Sequence, residues 1–301
     1  MGTPQAAVPT LERLIADGHE IAAVYTQPDR PSGRGQKLTA SPVKQIAVEH
    51  GIKVCQPLKI KTDDAFDEFR SFQAEAAVVV AYGRILPERW LRAFDRGAIN
   101  VHFSLLPKYR GAAPVNWAVA NGELETGVTT MQMDAGLDTG DILLQRRSAI
   151  REDENAIELM ARLSTLGADL LAETLASLDS ITPTEQDHSA VTFAPIMKKE
   201  DGLIDWSMPA KKIADRVRGF QPFPTSFTYF NGSRLTIWKA IAGDGAGEPG
   251  EVISTAADGL TVACGTASLR ITEIQPEGKR RLEVRDYLNG AKLAVGSKLG
   301  I

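Results

Sequence analysis

The sequence contains few of the residues that build metal sites and disulfide frameworks. Its two cysteines, Cys55 and Cys264, lie far apart and form no CxxC pair. Its four histidines show no metal-ligand spacing such as HExxH. We therefore expect neither a disulfide framework nor a zinc site, and no metal cofactor.

Long apolar runs are also missing. No run approaches the ~20 residues that a membrane-spanning helix needs, and the N-terminus lacks a signal-peptide pattern. The motifs GxxxxGK[ST] and GxSxG do not occur, so a P-loop and the common hydrolase nucleophile turn have no support. With 43% apolar and 24% charged residues, the composition is that of a cytoplasmic protein, and we expect no membrane partner.

The hydrophobic patterning divides the 301 residues into two parts. Between Pro4 and about Asp153, strand-like and helix-like segments alternate, which is typical of a parallel α/β sheet with right-handed crossovers. A long amphipathic helix follows over 156–178. We predict a Rossmann-like, doubly wound domain over residues 1–180. Its expected strands are 21–26, 52–55, 76–81, 98–102, 128–133 and 142–145.

The composition changes after residue 180. Residues 181–200 are rich in Thr, Pro, Glu, Asp and His without periodicity, which is typical of a linker. From 201 to 301, short β-branched and aromatic runs alternate with Asn-Gly and Asp-Gly pairs, which favour hairpin turns. We predict a small β-barrel of the OB-like type, or a sandwich, over residues 201–301.

The start of the chain lacks an element that this alternation requires. Thr3 and Pro4 suit the cap and the first position of a helix, so Gly2 lies in a strand-to-helix turn whose strand is missing. Either the chain opens on this turn, or translation begins upstream of Met1. We expect an upstream start, because a natural truncation would remove a central strand and expose two sheet edges.

One segment places polar side chains at the end of a predicted strand. Asn100 and His102 are two positions apart and so point to the same side, and Ser104 follows them. Ligand sites in open α/β sheets gather at the carboxyl ends of the strands. A histidine that can act as a base, beside an amide that can polarise a carbonyl, is what acyl transfer requires.

A glycine-rich segment downstream carries three carboxylates. Asp134, Asp138 and Asp141 follow the next predicted strand, and one of them could orient and charge-balance the imidazole. Spacing alone leaves a second interpretation open, because strand-end histidines are often packed core or surface residues and Asp-Gly segments are often simple turns.

Two motifs are specific in combination. The segment N-x-H-x-S-L-L-P at 100–107, followed by R-G-A-A-P at 110–114, resembles the signature of 10-formyltetrahydrofolate-dependent formyltransferases. The segment G-L-D-T-G at 136–140 is similar to the second element of that signature. Further segments, among them 27–35 and 204–206, resemble the members that formylate the methionine on initiator tRNA.

The resemblance implies a reaction and roles for individual residues. The formyl donor is 10-formyltetrahydrofolate, the acceptor is initiator methionyl-tRNA, and no metal takes part. Asn100 donates a hydrogen bond to the oxyanion, His102 assists removal of the amine proton, and Asp138 orients the imidazole and stabilises its charged form. The turn that binds folate corresponds to Ser104, Leu105, Leu106 and Pro107.

Although the net charge of the whole chain is −4, one segment of it is strongly basic. Between Thr26 and Lys61, seven basic residues stand against two acidic ones, a local net charge of +5. We expect a long, mobile loop over 28–39. Charge runs are usually solvated surface, but with the resemblance this loop is interpreted as entering the acceptor end of tRNA. The expected tRNA contacts are Arg34, Lys37, Arg30 and Lys44, with a second basic cluster at 279–285.

Two other functions are compatible with the sequence. The α/β domain could formylate a sugar nucleotide or another small amine, although the basic loop and the second domain argue against that. An RNA-binding protein without activity is disfavoured because Asn100, His102 and Asp138 are all present. A monomer is the simplest expectation.

Overall fold

The computed structural model describes residues 1–32, 37–256, 259–291 and 293–300, with the backbone alone for Ser32 and Lys37. Contacts group the chain into two compact units. Unit 1 comprises Met1–Gly111, Glu125–Ala149 and Met160–Ala194. Unit 2 comprises Ala112–Leu124, Ile150–Leu159 and Pro195–Ile301. None of the described helices is both long and apolar enough to cross a membrane.

Several helices begin where the sequence supplies a cap or a proline. They are α1 (Val8–Ala16), α2 (Pro42–Glu49), α3 (Asp63–Ser71), α4 (Glu88–Leu91), α5 (Pro114–Ala120), α6 (Ala156–Ala176), α7 (Ala210–Gly219) and α8 (Val284–Leu288). The Ser41 hydroxyl accepts a hydrogen bond from the backbone N–H of Lys44, and Thr62 caps α3 in the same way. Pro42 and Pro114 occupy first-turn positions, where a missing N–H costs nothing.

The strands of unit 1 form one mixed sheet and several short pairs. Unit 1 contains β1 (Val24–Tyr25), β2 (Arg30–Ser32), β3 (Lys37–Thr39), β4 (Val54–Cys55), β5 (Ala77–Val79), β6 (Ala98–His102), β7 (Arg110–Gly111), β8 (Glu125–Gln132), β9 (Ile142–Ala149) and β10 (Phe193–Ala194). The main sheet has the order β5-β6-β8-β9. The remaining pairs are β1 with β4, β2 with β3, and β7 with β10.

The six predicted strands are confirmed, but a wholly parallel sheet is wrong. Strands β5 and β6 pair in parallel, as do β1 and β4. Strands β6 and β8, and β8 and β9, pair antiparallel. The segment 133–141 between β8 and β9 contains no helix. It is too short for the crossover that parallel strands need, so β9 returns beside β8 as a hairpin.

The first two residues lie between β1 and β5. The Met1 ammonium donates to Val78 O at 2.7 Å, and Gly2 N donates to Tyr25 O at 2.9 Å. Gly2 forms one parallel bridge with Val80, and β1 and β5 share no ladder among the described residues. Burial lowers the pKa of the Met1 amine to about 5. A cavity of about 140 Å³ adjoins this bridge, lined in part by Leu11, Leu14, Val24, Phe69, Phe72 and Val78.

Unit 2 is built around an antiparallel sheet with α7 against it. The sheet contains β11 (Ser226–Phe230), β12 (Ser233–Gly243), β13 (Val252–Ala256), β14 (Gly259–Ala263), β15 (Ser268–Pro276) and β16 (Leu282–Glu283). The order is β11-β12-β15-β14-β13, with β16 also on β15. Ile213 and Val217 of α7 share the core with Leu235 and Ile271 of the sheet.

The β-branched and aromatic runs expected as strands, at 226–229, 235–238, 251–254, 260–263 and 269–274, are confirmed as β11 to β15, whereas closure into a barrel is not. Among the described residues, the edge strands β11 and β13 do not pair with each other. Phe227 of β11 instead forms a single β-bridge with Leu203. Helix α7 covers the apolar face of the sheet, so the core is buried without the sheet curling on itself.

Candidate active site

Strand β6 presents two polar side chains on one face. Asn100 lies opposite Val79 of β5 and Met131 of β8, and His102 lies opposite Thr129. Both are largely buried, with 7% and 6% of their surface exposed. Alternation along the strand places them on the same side. The Asn100 amide makes no side-chain hydrogen bond within the part of the chain that the structure describes, so its N–H groups are available to a ligand.

The hydrogen bond made by the His102 ring decides which nitrogen can act as a base. Nε2 lies 3.0 Å from the carbonyl oxygen of Tyr109. A carbonyl accepts but cannot donate, so we assign the proton of the neutral ring to Nε2. Nδ1 then carries the free lone pair. It lies 3.8 Å from Oδ2 of Asp138.

Asp138 reaches the imidazole from the loop between β8 and β9. Its backbone has a φ of 53°, in the left-handed region. Oδ2 accepts a hydrogen bond of 2.8 Å from the N–H of Gly111. The 3.8 Å gap to His102 Nδ1 is longer than a hydrogen bond, so the carboxylate acts on the ring through charge. The structure thus brings His102 and Asp138 together.

The turn after β6 satisfies its own polar groups. The Ser104 hydroxyl donates to Lys108 O at 2.6 Å, and the Thr129 hydroxyl donates to Ser104 O at 2.7 Å. Leu106 N donates to the Thr129 hydroxyl at 3.2 Å. Ser104 and Leu106 are buried, whereas Leu105 and Pro107 are partly exposed. Of the four residues expected to bind folate, Leu105 and Pro107 therefore offer side-chain surface.

The basic segment contains a hairpin where a loop was predicted. Strands β2 and β3 pair antiparallel, with Arg30 opposite Thr39. Arg30 is exposed. Arg34, the foremost expected tRNA contact, lies outside the described residues, and for Lys37 only the backbone in β3 is described.

Lys44 forms hydrogen bonds at the base of this hairpin. Its Nζ donates to Oδ2 of Asp29 at 2.6 Å and to Oε1 of Gln56 at 2.8 Å. Gln56 also donates to Oδ1 of Asp29 at 2.8 Å. The hydrogen bond from Lys44, followed by that from Gln56, holds the pKa of the Asp29 carboxyl below its usual range. The backbone of Ala40, at the other end of the hairpin, accepts from Gln45 of α2.

The sequence interpretation missed two backbone groups at this site. The Tyr109 carbonyl and the Gly111 N–H hold His102 and Asp138, and both lie in the Tyr-Arg-Gly segment that follows the folate turn. The sequence signal that could have indicated these groups was the glycine at position 111. Its backbone has a φ of 123°, a conformation that favours glycine. Among the described residues, no group of three His, Cys, Asp or Glu side chains could hold a metal ion.

The chain resembles known proteins over its whole length. Residues 1–175 match the family described as "Formyl transferase", and residues 196–292 match "Formyl transferase, C-terminal domain". A methionyl-tRNA formyltransferase of Citrifermentans bemidjiense is 51% identical, over 100% of this chain and 95% of that protein. One of Geobacter metallireducens is 50% identical, over 100% of this chain and 97% of that protein.

A solved structure shares the fold at low identity. The N-formyltransferase from Helicobacter canadensis, in complex with folinic acid and dTDP-3-aminofucose, aligns with a TM-score of 0.68. It is 18% identical, over 93% of this chain and 97% of that chain.

Proposed function

The chain belongs to the formyltransferase family, with methionyl-tRNA formyltransferases as its full-length relatives, and on that premise we propose how its side chains carry the reaction. The enzyme transfers a formyl group to the α-amino group of methionyl-tRNA for translation initiation. We take 10-formyltetrahydrofolate as the donor, since a neighbour of the same fold binds folinic acid. The observation that carries the proposal is the free Nδ1 of His102 facing the Asp138 carboxylate, on the strand that also presents Asn100.

His102 is the base in this mechanism. The neutral methionyl amine attacks the formyl carbon, and its nitrogen loses a proton as the new C–N bond forms. Nδ1 of His102 accepts that proton, directly or through one water, because Nε2 is engaged by Tyr109 O. Asp138 stabilises the positive charge that develops on the ring. A well-placed base typically contributes ~10²–10⁴-fold in rate.

Asn100 holds the oxyanion. Attack converts the formyl carbonyl into a tetrahedral alkoxide, and the amide N–H of Asn100 donates to that oxygen. The bond from the formyl carbon to N10 of the folate then breaks, and N10 takes up a proton as the free folate amine forms. A single oxyanion donor of this kind is worth roughly 3–4 kcal/mol of transition-state stabilisation. The Leu105 and Pro107 surfaces border the folate in this arrangement.

Formyl transfer from 10-formyltetrahydrofolate to charged initiator tRNA tests the proposal, with charged elongator tRNA as the comparison. We expect His102→Ala to abolish turnover and to leave tRNA binding intact. His19→Ala removes an exposed histidine and is the matched control, with unchanged turnover. Formylation of a dTDP-amino sugar in place of the tRNA would favour the alternative function. Substantial turnover by a folded His102→Ala enzyme would refute the role of His102.

The basic hairpin is proposed to meet the acceptor end of the tRNA. Arg34, Arg30 and Lys37 supply positive charge there, and Lys44 acts through the hairpin base that it holds. We expect Arg34→Ala to raise the KM for methionyl-tRNA far more than the KM for the formyl donor, and to reduce the salt dependence of tRNA binding. Arg92→Ala, at an exposed arginine paired with Glu88, is the control. An unchanged tRNA KM for Arg34→Ala would refute the assignment.

The remaining parts of the proposal concern domain roles. Residues 1–180 are proposed as the catalytic domain, and 181–200 as the connection whose first part packs on that domain through β10. Residues 201–301 are proposed as the tRNA-binding domain, whose cluster at 279–285 faces the acceptor stem. In that cluster Arg281 pairs with Glu273 and stacks on Trp238 at 4.9 Å. The enzyme is proposed to act as a monomer in the cytoplasm, where charged initiator tRNA is used. A sedimentation measurement of the enzyme, alone and with tRNA, tests the monomer.

A further inference from the structure

Gln186 lies in the segment expected to be a linker, yet its amide is buried and fully hydrogen-bonded. Only 2% of the residue is exposed. Nε2 donates to Asp138 O at 2.9 Å and to Gly140 O at 2.7 Å. Oε1 accepts from Arg110 Nε at 3.1 Å and from Arg110 Nη2 at 2.7 Å. A carboxamide has two donor hydrogens and two acceptor lone pairs, so this amide uses its entire capacity.

These four bonds join the two backbone segments that flank the Asp138 carboxylate. One is the turn 138–140, where both outer carbonyls are held by Nε2 and where Asp138 adopts a φ of 53°. The other is β7, where Arg110 is bound by Oε1 and the next residue, Gly111, donates its N–H to Asp138 Oδ2. Gln186 therefore sets the distance between the main chain of Asp138 and the Gly111 N–H, which donates to the Asp138 carboxylate.

Arg110 depends on the same amide. Arg110 is 4% exposed, and its guanidinium donates two hydrogen bonds to Oε1 of Gln186. Its backbone N–H donates to Thr192 O at 2.9 Å, and β7 pairs with β10. The segment around Gln186 thus contacts both the backbone that carries the Asp138 carboxylate and the strand that carries its donor, the Gly111 N–H.

From this arrangement, and resting on the proposed function, we infer that Gln186 is a positioning residue for Asp138. It touches neither substrate nor the imidazole. It acts by holding the 138–140 turn so that the carboxylate lies beside Nδ1 of His102. A displacement of about 1 Å in such an arrangement costs up to ~10²-fold in rate. Gln186→Met removes all four bonds at similar size. Gln186→Glu keeps the acceptor for Arg110 but faces the two carbonyls with an oxygen.

Kinetics with a double-mutant cycle separate positioning from general structural support. We expect Gln186→Met and Gln186→Glu each to lower kcat about 10- to 100-fold while the tRNA KM stays within about twofold. In an Asp138→Asn background, Gln186→Met should lower kcat by less than about threefold more, because the group it positions no longer acts as a carboxylate. An equal loss of kcat in both backgrounds would overturn the inference.

Gln132→Met is the matched control. Gln132 also lies in unit 1, and its Nε2 donates to two backbone carbonyls, those of Arg96 and Ala98. Ala98 is the first residue of β6, at the opposite end from His102. This variant should lose thermal stability like Gln186→Met and keep the wild-type kcat. A matching loss of kcat in Gln132→Met would also overturn the inference.

A second readout does not depend on turnover. Nitrogen-15 NMR of the histidine rings, with His102→Ala for assignment, reports the surroundings of His102 directly. The His102 Nδ1 signal should move in the same direction in Gln186→Met and Asp138→Asn and keep its position in Gln132→Met. An unmoved Nδ1 signal in folded Gln186→Met would refute positioning. Absence of formyl transfer by the wild-type enzyme would refute the proposed function and leave this NMR test decisive for Gln186.

Discussion

A single methyl group at Gly111 should displace the Asp138 carboxylate. An ideal Cβ built on Gly111 would lie 2.6 Å from Ala194 O and 3.2 Å from Ala194 C. The φ of Gly111 is +123°, a conformation that L side chains rarely adopt. The atom that Cβ would strike belongs to the main chain of β10, which pairs with β7, so no flexible side chain can move aside.

The size of the displacement follows from these distances. Ordinary contact starts at 3.4 Å, so the two main chains of Gly111→Ala must separate by about 0.8 Å. If that movement is taken up at the Gly111 N–H, its 2.8 Å bond to Asp138 Oδ2 is stretched to about 3.6 Å, beyond hydrogen-bond range. We therefore expect kcat to fall about 10- to 100-fold. The strained backbone alone should lower the free energy of unfolding by about 1–3 kcal/mol.

Gly18→Ala is the matched control for this prediction. Gly18 follows α1 with a φ of +80°, and an added Cβ meets no atom within 4 Å. The variant therefore has unfavourable backbone strain without a clash, and should lose stability while keeping the wild-type kcat. Steady-state formyl transfer and urea unfolding of both variants provide the measurement. If Gly111→Ala kept kcat within about threefold of wild type, the Gly111 N–H would not be what holds Asp138 in place.

Three further predictions concern the hairpin base, a buried thiol and unit 2. Lys44→Met should raise the tRNA KM and leave kcat unchanged, because Asp29 and Gln56 lose their shared partner; exposed Lys53→Met is the control. Burial raises the pKa of Cys264 from 9.0 to about 11, so stability should fall between these pH values in urea titrations, and fall less in Cys264→Ala. Gly219→Ala would place Cβ 2.4 Å from Ala120 N and should cost roughly 1–3 kcal/mol of unfolding free energy, measured by urea denaturation.

Local patterns in the sequence predicted the parts of this protein that depend on near neighbours. Alternation along a strand placed Asn100 and His102 on one face, and β6 confirms that geometry. Apolar runs located the strands of both units because burial of a pleated face requires that pattern. The hairpin signal at Asn231-Gly232 likewise separates β11 from β12.

The tertiary structure decided everything that depends on residues distant in the chain. It set the antiparallel pairing of β8 with β6, because the long segment between these two strands does not by itself fix their relative direction. It placed the Tyr109 carbonyl 3.0 Å from Nε2 of His102, and that contact is the basis on which we assign the proton of the neutral ring to Nε2. It brought Gln186 to Asp138 across 48 positions, and no periodicity links two loop residues at such a separation. Composition and spacing report which side chains are present, whereas their distances and partners arise only when the chain packs.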